Sequence, residues 1–417
     1  MPDVQLQPVE DGAITSTPGF QAAGVASGLK PDGALDLALI YSAQPCTGAA
    51  MFTTNAFKAA PVLYDQMALA RNPDGLRGVV INSGCANACT GEQGLRDAGA
   101  MAAGAAATLG VGVEDVMVMS TGVIGALLPM STILAGMAEA ARGLSSCARA
   151  GHDAARAIMT TDTRPKEMAT RVITEEGQFV IAGMAKGAGM IHPNMATMLC
   201  LITSNVQIAP ELAQRALRDA VDRSFHMISV DGDTSTNDTV LLMANGLADT
   251  PPIESSASAT YRGFVRGLSH VAVELAKAIV RDGEGATRLV EITVRGARSR
   301  GEAKQVAMSV ARSMLVKTAI YGQDANWGRI VCAVGYSGVT IEPELVRIWL
   351  GDLELVRGGA PYDTNEERAS EILAQPEIGI GIDLGQGREL DSPGATATVW
   401  TCDLSHGYVD INSHYRT

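Results

Sequence analysis

Apolar runs that end in glycine-containing loops recur in the first half of the chain. Residues 78–81, GVVI, predict a buried strand, and the turn residues of NSGCANACTG follow it. An alanine-rich segment, GLRDAGAMAAGAAATLG, then predicts a helix that closes on Gly110. The same order returns in the strand VMVMS, the loop TGVIG and a helix that we expect the Ser131 hydroxyl to cap. Strand, loop and helix in this order predict a layered α/β domain.

Longer apolar runs follow Thr174 and alternate with helical stretches. Four of these runs predict strands: FVIAGMAKGAG, MLCLITSNVQI, RLVEITVRG and RIVCAVGYSGV. Pro210 opens a predicted helix, and residues 261–279 carry apolar side chains at helical spacing. The uncharged run 116–138 contains glycines and a proline and has acidic residues on both sides, so it predicts strand, loop and helix instead of a membrane span.

Composition and charge narrow the class of protein. A chain of 417 residues suggests two or three domains, and its 47% apolar residues are typical of a well-packed α/β enzyme. The net charge of -13 argues against nucleic acid and anionic membranes as partners, because binding phosphates needs clustered Lys and Arg. Seven scattered cysteines indicate reduced thiols, and the acidic N-terminus is unlike a signal peptide. We therefore expect a cytoplasmic protein that acts on small molecules.

Histidine, cysteine and aspartate patterns give little support to metal or phosphoryl-transfer chemistry. The six histidines form no HExxH pair, and Cys85 and Cys89 have no partner pair, so we expect no metal site. Residues 227–238, MISVDGDTSTND, resemble the aspartyl loop of haloacid-dehalogenase-type phosphotransferases. A turn and helix cap in which Asp231 and Asp233 accept backbone hydrogen bonds is the favoured interpretation.

The segment HPNMAT, residues 192–197, places a threonine directly after a turn. Pro193 and Asn194 favour the turn, and the small Ala196 leaves its carbonyl uncrowded. A threonine hydroxyl needs an adjacent base to act as a nucleophile. If the chain is cut before Thr197, the new α-amine, with a pKa of about 8, supplies that base. Taken by itself, the segment favours a simpler alternative in which the β-branched Thr197 starts a strand.

Several long motifs together resemble the ornithine acetyltransferase family of arginine biosynthesis. In chain order they are MSTGVIG, MAKGAGMIHPNMATMLCLITSN, SVDGDTSTNDT and the C-terminal DLSHGYVDINSHYRT, and the resemblance spans essentially the whole chain. The resemblance implies self-cleavage between Ala196 and Thr197, which yields an α chain of residues 1–196 and a β chain of residues 197–417 that begins with the nucleophile. It also implies an α/β fold, a layered sandwich of two sheets covered by helices, in which the two chains stay interlocked. One departure is Cys85, where an asparagine is expected.

The same resemblance implies a role for each site residue. Thr121 and Gly122 match an oxyanion hole, although turn and cap chemistry would also explain them. Lys186 matches a partner for the substrate carboxylate, and Glu284 a partner for the ammonium groups of ornithine; both would otherwise be taken for surface charges. The remaining matches to substrate-binding positions are hydroxyl or amide side chains: Thr160, Thr197, Asn412 and Thr417.

The reaction that the resemblance implies is a ping-pong transfer. Acetyl passes from N2-acetylornithine to Thr197, ornithine leaves, and L-glutamate takes the acetyl group. The implied chemistry uses no cofactor, and acetyl-CoA is a co-substrate in those members that are also N-acetylglutamate synthases. The implied assembly is a heterotetramer of two α and two β chains. Two alternatives stay open: a self-processing aminopeptidase or amidase that passes the acyl group to water, and a binding protein that is never cut.

Overall fold

Two β-sheets, each with its own helices, organise the polypeptide. A computed structural model of the protein describes residues 4–192, 198–363, 365–386 and 394–414. The described chain divides into two compact units. Unit 1 contains the residues up to 226 together with 233–279, and unit 2 contains 227–232 together with 280–414. The predicted mixed α/β fold with two sheets and covering helices is confirmed, with one sheet in each unit.

The strands are numbered along the chain: β1 Gln5–Pro8, β2 Phe20–Val25, β3 Leu37–Phe52, β4 Leu76–Cys85, β5 Val116–Val123, β6 Lys166–Thr174, β7 Gly177–Lys186, β8 Leu199–Ser204, β9 Ile228–Ser229, β10 Thr239–Ala244, β11 Leu289–Ala297, β12 Arg347–Leu350, β13 Leu353–Arg357, β14 Ala360–Pro361, β15 Glu377–Asp383 and β16 Ala395–Cys402. The α-helices are numbered in the same way: α1 Ala60–Arg71, α2 Gly91–Leu109, α3 Met130–Gly143, α4 Ala148–Ala157, α5 Pro210–Val221, α6 Ala259–Arg281, α7 Arg300–Arg312, α8 Met314–Tyr321, α9 Trp327–Gly335, α10 Glu366–Leu373 and α11 His406–His414.

The sheet of unit 1 has the strand order β1-β6-β7-β8-β10-β3-β4-β5, with β2 paired to β3. At its centre β8 and β10 run parallel, and every residue of both strands is buried. Continuous apolar runs of this kind are typical of strands that are covered on both faces. The long β3 connects the two halves of the sheet, because its first half pairs with β2 and β4 and its second half with β10.

The predicted cleavage point lies between two paired strands of this sheet. β7 ends at Lys186, β8 begins at Leu199, and the two strands pair antiparallel with these two residues opposite each other. A cut between residues 196 and 197 would therefore leave two chains that share one sheet. Separating them would require breaking the β7–β8 ladder and exposing the apolar side chains that both strands bury.

Local sequence signals set several helix boundaries in unit 1. α2 ends at Gly110, which takes a left-handed conformation with φ of 69° as the C-cap, as predicted. α5 begins at Pro210, and α6 contains the predicted segment 261–279. On α2, Ala98, Ala102 and Ala105 lie at helical spacing and are fully buried in an apolar cluster with β4 and β5.

The sheet of unit 2 has the order β14-β13-β12-β15-β11-β16-β9. Its central strand β11 runs parallel to β15 and antiparallel to β16. Along β11 the buried Val290, Ile292 and Val294 alternate with more exposed polar residues, so one face of this strand is apolar. Helix α7 packs against β11 and β16.

Three local predictions were wrong. The run RIVCAVGYSGV is not a strand, because most of it belongs to helix α9, which the Asn326 side chain caps by accepting a hydrogen bond from the Arg329 N–H. Ser131 does not cap α3, which begins one residue earlier at Met130. Residues 227–238 lead into β10 and not into a helix, so Asp231 and Asp233 cap none.

The uncharged run 116–138 forms strand β5, a loop and most of α3, as predicted. Among the described residues, no helix combines the length and the apolar character that crossing a membrane requires.

Candidate active site

The two oxyanion candidates lie at the end of β5, where it approaches β4 very closely. Thr121 is buried, and Gly122 has a φ of 128°. A Cβ atom at Gly122 would lie 2.3 Å from the carbonyl carbon of Gly84, so only glycine permits this approach. The register of the two strands shifts between Gly84 and Cys85, as expected for a bulge. Cys85, the departure from the family pattern, packs beneath this loop with its Sγ 3.3 Å from the carbonyl oxygen of Ala126.

Lys186 reaches Thr121 from the end of β7. Its Nζ donates to the Thr121 hydroxyl at 3.2 Å, and the lysine is only 1% exposed. The sequence suggests a solvated surface charge for an isolated lysine beside glycine, but here the whole side chain is buried. A buried ammonium group is costly unless charged or polar partners surround it, so its position indicates a defined role.

Asp162 supplies the negative charge beside this lysine. Its Oδ1 lies 2.5 Å from Lys166 Nζ and accepts a hydrogen bond from the Gly187 N–H at 2.7 Å. Burial opposes ionisation of Asp162, but the positive charges of Lys186 and Lys166 and the hydrogen bond from Gly187 outweigh it and lower the pKa to about 2. We call Asp162, Lys166 and Lys186 the lysine cluster; its three ionised side chains sum to one positive charge.

Thr160 also lies beside the lysine cluster. Its backbone N–H donates to Asp162 Oδ2 at 3.0 Å, and the residue is partly exposed. The structure therefore brings together four of the predicted site residues in unit 1: Thr121, Gly122, Thr160 and Lys186. A hydroxyl, an ammonium group and a glycine-rich strand end in one place offer hydrogen-bond donors for an oxygen that carries negative charge.

The predicted cleavage bond lies outside the described residues, as do Pro193, Asn194, Ala196 and Thr197. The nearest described residue is Met198, whose N–H donates to Asp238 Oδ1 at 2.9 Å. One residue further on, Leu199 pairs with Lys186 in β7 and with Thr239 in β10. The strand that Thr197 precedes is therefore tied into the sheet beside the lysine cluster.

In unit 2 the structure brings Glu284 and Asn412 together. Asn412 Nδ2 donates to Glu284 Oε2 at 2.7 Å, and the glutamate is only 8% exposed. Helix α11, which carries Asn412, lies directly against the Glu284 loop, because a Cβ atom on Gly285 would come within 2.3 Å of the Tyr408 nitrogen. Thr417, the remaining predicted contact, lies outside the described residues.

Sequence reasoning missed three buried ionisable residues at the site in unit 1: Asp162, Lys166 and Asp238. The first two stand in MTTDTRPKE, beside Thr160, and Asp238 ends the aspartate-rich loop before β10. Asp and Lys in loops are usually solvated, so only their burial distinguishes these three from other charged residues. The described residues contain no cluster of three or more His, Cys, Asp or Glu side chains arranged to hold a metal ion.

Comparisons with known proteins cover nearly the whole chain. The family model described as ArgJ matches residues 21–417. The arginine biosynthesis bifunctional protein ArgJ of Symbiobacterium thermophilum is 49% identical over 97% of this chain and 99% of its own length. The protein of the same name from Thermotoga neapolitana is 45% identical over 96% of this chain and 99% of its own length.

A solved structure adds a further likeness. The ornithine acetyltransferase of Mycobacterium tuberculosis, crystallised with ornithine, is 41% identical over 45% of this chain and 98% of that chain, with a TM-score of 0.42. The match of the family model over nearly the full length, together with relatives that are almost half identical, is decisive. The chain belongs to the ArgJ family.

Proposed function

We propose that Thr197 cuts this chain at the Ala196–Thr197 bond and then carries acetyl from N2-acetylornithine to L-glutamate. As a member of the ArgJ family the chain is an acyltransferase of arginine biosynthesis. The observation that carries the proposed mechanism is the buried pair of Thr121 and Lys186, because Lys186 lies opposite the strand position two residues after Thr197. An acyl-threonine enzyme needs an oxyanion donor at this point, which the Thr121 hydroxyl can supply, and Lys186 places a positive charge beside it.

The proposed reaction has two acyl-transfer steps. The α-amine of Thr197 takes the proton of its own hydroxyl, and the hydroxyl oxygen attacks the acetyl carbonyl of N2-acetylornithine. The Thr121 hydroxyl and the Gly122 N–H stabilise the oxyanion, and the C–N bond breaks as the departing amine of ornithine takes the proton. The amine of glutamate then attacks the carbonyl carbon of the acetyl-threonine and loses a proton to the α-amine. The ester bond to Thr197 Oγ breaks, Oγ takes that proton back from the α-amine, and N-acetylglutamate leaves.

Substrate recognition follows from opposite charges. The lysine cluster carries one excess positive charge in a buried place, which suits the α-carboxylate common to ornithine and glutamate. Glu284 would bind the ammonium groups of ornithine, and the amide of Asn412 holds its carboxylate in place. The other proposed substrate contacts come from three polar residues: Thr160, Asn412 and Thr417.

The proposed chemistry needs no cofactor. The relatives are named bifunctional, and we propose that acetyl-CoA is a second acetyl donor that reaches glutamate through the same acetyl-Thr197. We also propose a heterotetramer of two α and two β chains in the cytoplasm. The seven cysteines all lie in the described parts of the chain and are free thiols there.

Self-cleavage is tested on a denaturing gel combined with N-terminal sequencing of the purified chain. The wild type should give two fragments, the second beginning at Thr197, and Thr197→Ala should stay at full length. Thr203→Ala is the matched control, because it removes a buried threonine hydroxyl from β8, the strand that follows Thr197 in the chain, and should still be cut. An intact wild type, or cleavage of Thr197→Ala at the same bond, would disprove the nucleophile.

Transfer is tested by following the acetyl group. With N2-acetylornithine and glutamate the cleaved enzyme should form N-acetylglutamate and ornithine in equal amounts. Release of free acetate at the same rate with and without glutamate would instead identify an amidase. Formation of N-acetylglutamate from acetyl-CoA, lost in Thr197→Ala, would establish the second donor.

A further inference from the structure

Asp238 is a fully buried carboxyl group at the entry to β10. Its Oδ1 accepts a hydrogen bond from the Met198 N–H at 2.9 Å, and its Oδ2 has no hydrogen-bond partner among the described residues. Because Met198 follows Thr197 in the chain, that N–H belongs to the first peptide bond of the C-terminal chain that self-cleavage would release. The carboxyl group is thus bonded to the peptide unit that carries the proposed nucleophile.

The two strands that flank β10 hold Asp238 in place. The next residue, Thr239, pairs with Leu199 in β8 on one side and with Phe52 in β3 on the other. The carbonyl oxygen of Asp238 accepts a hydrogen bond from the Thr53 N–H at 3.0 Å. A side chain on so constrained a backbone can hold a neighbouring group within the small tolerance that catalysis requires.

The preceding residue connects Asp238 to the oxyanion loop. Asn237 Nδ2 donates to the carbonyl oxygens of Ser120, at 2.8 Å, and Ala86, at 2.6 Å. Ser120 directly precedes the proposed oxyanion donor Thr121. Asn237 therefore hydrogen-bonds to β5, the strand that carries the proposed oxyanion donors. Asp238 hydrogen-bonds to Met198, which lies between the proposed nucleophile and β8.

The environment of Asp238 favours its neutral form. Burial raises the pKa of this carboxyl group well above the usual range, and the Met198 N–H, the positive charge of Lys186 on β7 and the hydroxyls of Ser235 and Thr53 offset this only in part. Charge matters here, because a carboxylate next to an α-amine raises the pKa of the amine and keeps it protonated. A neutral carboxyl group holds the peptide without suppressing the base.

We propose that Asp238 is a positioning residue for Thr197: its carboxyl group holds the Met198 N–H and thereby fixes the direction in which the α-amine and hydroxyl of Thr197 leave the strand. The inference rests on the proposed role of Thr197. Asp238 forms and breaks no covalent bond in this scheme, and it contributes a fixed geometry to both self-cleavage and acetyl transfer.

The test compares Asp238→Ala and Asp238→Asn with a matched control, Asp65→Ala. Asp65 lies on α1, is equally buried, accepts a hydrogen bond from the Val118 N–H at 2.8 Å through Oδ1, and has an Oδ2 without a partner among the described residues. Both alanine variants remove a buried carboxyl group that accepts a hydrogen bond from a backbone N–H within or next to a strand of the same unit. A purely structural role would therefore affect the two variants alike.

We expect Asp238→Ala to lower kcat by roughly 10²-fold, the cost of a small misplacement of reacting groups, with little change in KM and slower self-cleavage. Asp65→Ala should lose a similar amount of thermal stability but keep a kcat near that of the wild type. Asp238→Asn should recover most of kcat, because its amide oxygen accepts the same hydrogen bond. In a plot of kcat against pH, the fall on the acid side reports protonation of the Thr197 α-amine. This fall should occur at the same pH in Asp238→Asn as in the wild type, since residue 238 is neutral in both proteins in this scheme.

Each outcome decides the inference. Equal kcat values for Asp238→Ala and Asp65→Ala, or no recovery in a folded Asp238→Asn, would overturn it. An acid limb that moves to lower pH in Asp238→Asn would show that the wild-type carboxyl group is charged and would overturn the neutral-carboxyl scheme. If the wild type transfers no acetyl, or Thr197→Ala is still cut, the proposed function fails and this inference fails with it. If the wild type cleaves itself and transfers acetyl, and Asp238→Ala does both at the same rate, this inference fails and the proposed function stands.

Discussion

Replacing Lys186 with methionine should weaken substrate binding by a predictable amount. The substitution keeps the length and apolar stem of the side chain and removes the ammonium group that lies 3.2 Å from the Thr121 hydroxyl. A substrate carboxylate beside Thr121 then loses its charged hydrogen-bond donor. A hydrogen bond to a charged group contributes about 1.5–3 kcal/mol. At about 1.4 kcal/mol per tenfold change, KM should rise roughly 10- to 150-fold.

The matched control is Lys166→Met. Lys166 is as deeply buried as Lys186 and forms an ion pair with Asp162 at 2.5 Å, and the hydrogen bond to Thr121 comes from Lys186. Both lysines help to lower the pKa of Asp162, so either substitution leaves that carboxylate poorly compensated and destabilises the fold by up to about 3–5 kcal/mol. The two variants should therefore be similar in thermal stability and differ in KM.

The assay measures KM for N2-acetylornithine at saturating glutamate, and KM for glutamate at saturating N2-acetylornithine. In a ping-pong reaction both substrates use the same place in turn, so Lys186→Met should raise both constants. Equal KM values for the two lysine variants would show that the loss comes from general loosening of the fold. An unchanged KM in a folded Lys186→Met would refute the carboxylate role.

Three further predictions concern the oxyanion loop, the chain end and pH. Thr121→Ala should lower kcat by roughly 10²–10³-fold with little effect on KM in steady-state assays. An unchanged kcat would show that Thr121 has no role in catalysis and only helps to form the turn after β5. Deleting residues 413–417 should leave a folded, self-cleaved enzyme with a higher KM for N2-acetylornithine, since each unpaired polar group costs about 1–3 kcal/mol; full activity at limiting substrate would contradict this. His152 contacts Glu167 at 2.9 Å and Asp11 at 3.1 Å, and the hydrogen bond to Glu167 raises the pKa of the imidazole. Protonated His152 therefore stabilises the folded state fully below the pKa of an unfolded histidine, about 6.5, and this stabilisation is lost as the pH rises through the higher pKa of the folded state. In thermal melts, His152→Gln should unfold at a lower temperature than the wild type at low pH and at the same temperature at high pH.

The sequence by itself determined the local elements and the candidate chemistry. Gly110 ends α2 and Pro210 opens α5 because these residues restrict or permit particular backbone angles wherever they occur. Short apolar runs were less decisive: RIVCAVGYSGV fits a buried strand and a buried helix equally well until a cap such as Asn326 is recognised. The nucleophile candidate also came from the sequence, but through the family resemblance, because HPNMAT taken by itself favours a threonine that starts a strand.

Only the tertiary structure decided which side chains work together. Lys186 bonds to Thr121 across 65 positions of the chain, and Asp238 bonds to Met198 across 40. Asp238 meets Met198 because the strand it leads into, β10, pairs with β8, although the two strands are not consecutive in the chain. Lys186 and Thr121 lie at the ends of β7 and β5, which are not adjacent in the sheet, so their contact follows only from the folded shape of unit 1. Local periodicity reports which face of an element is buried, but it carries no information on which strands become neighbours, and so the burial of these charges appears only in the folded protein.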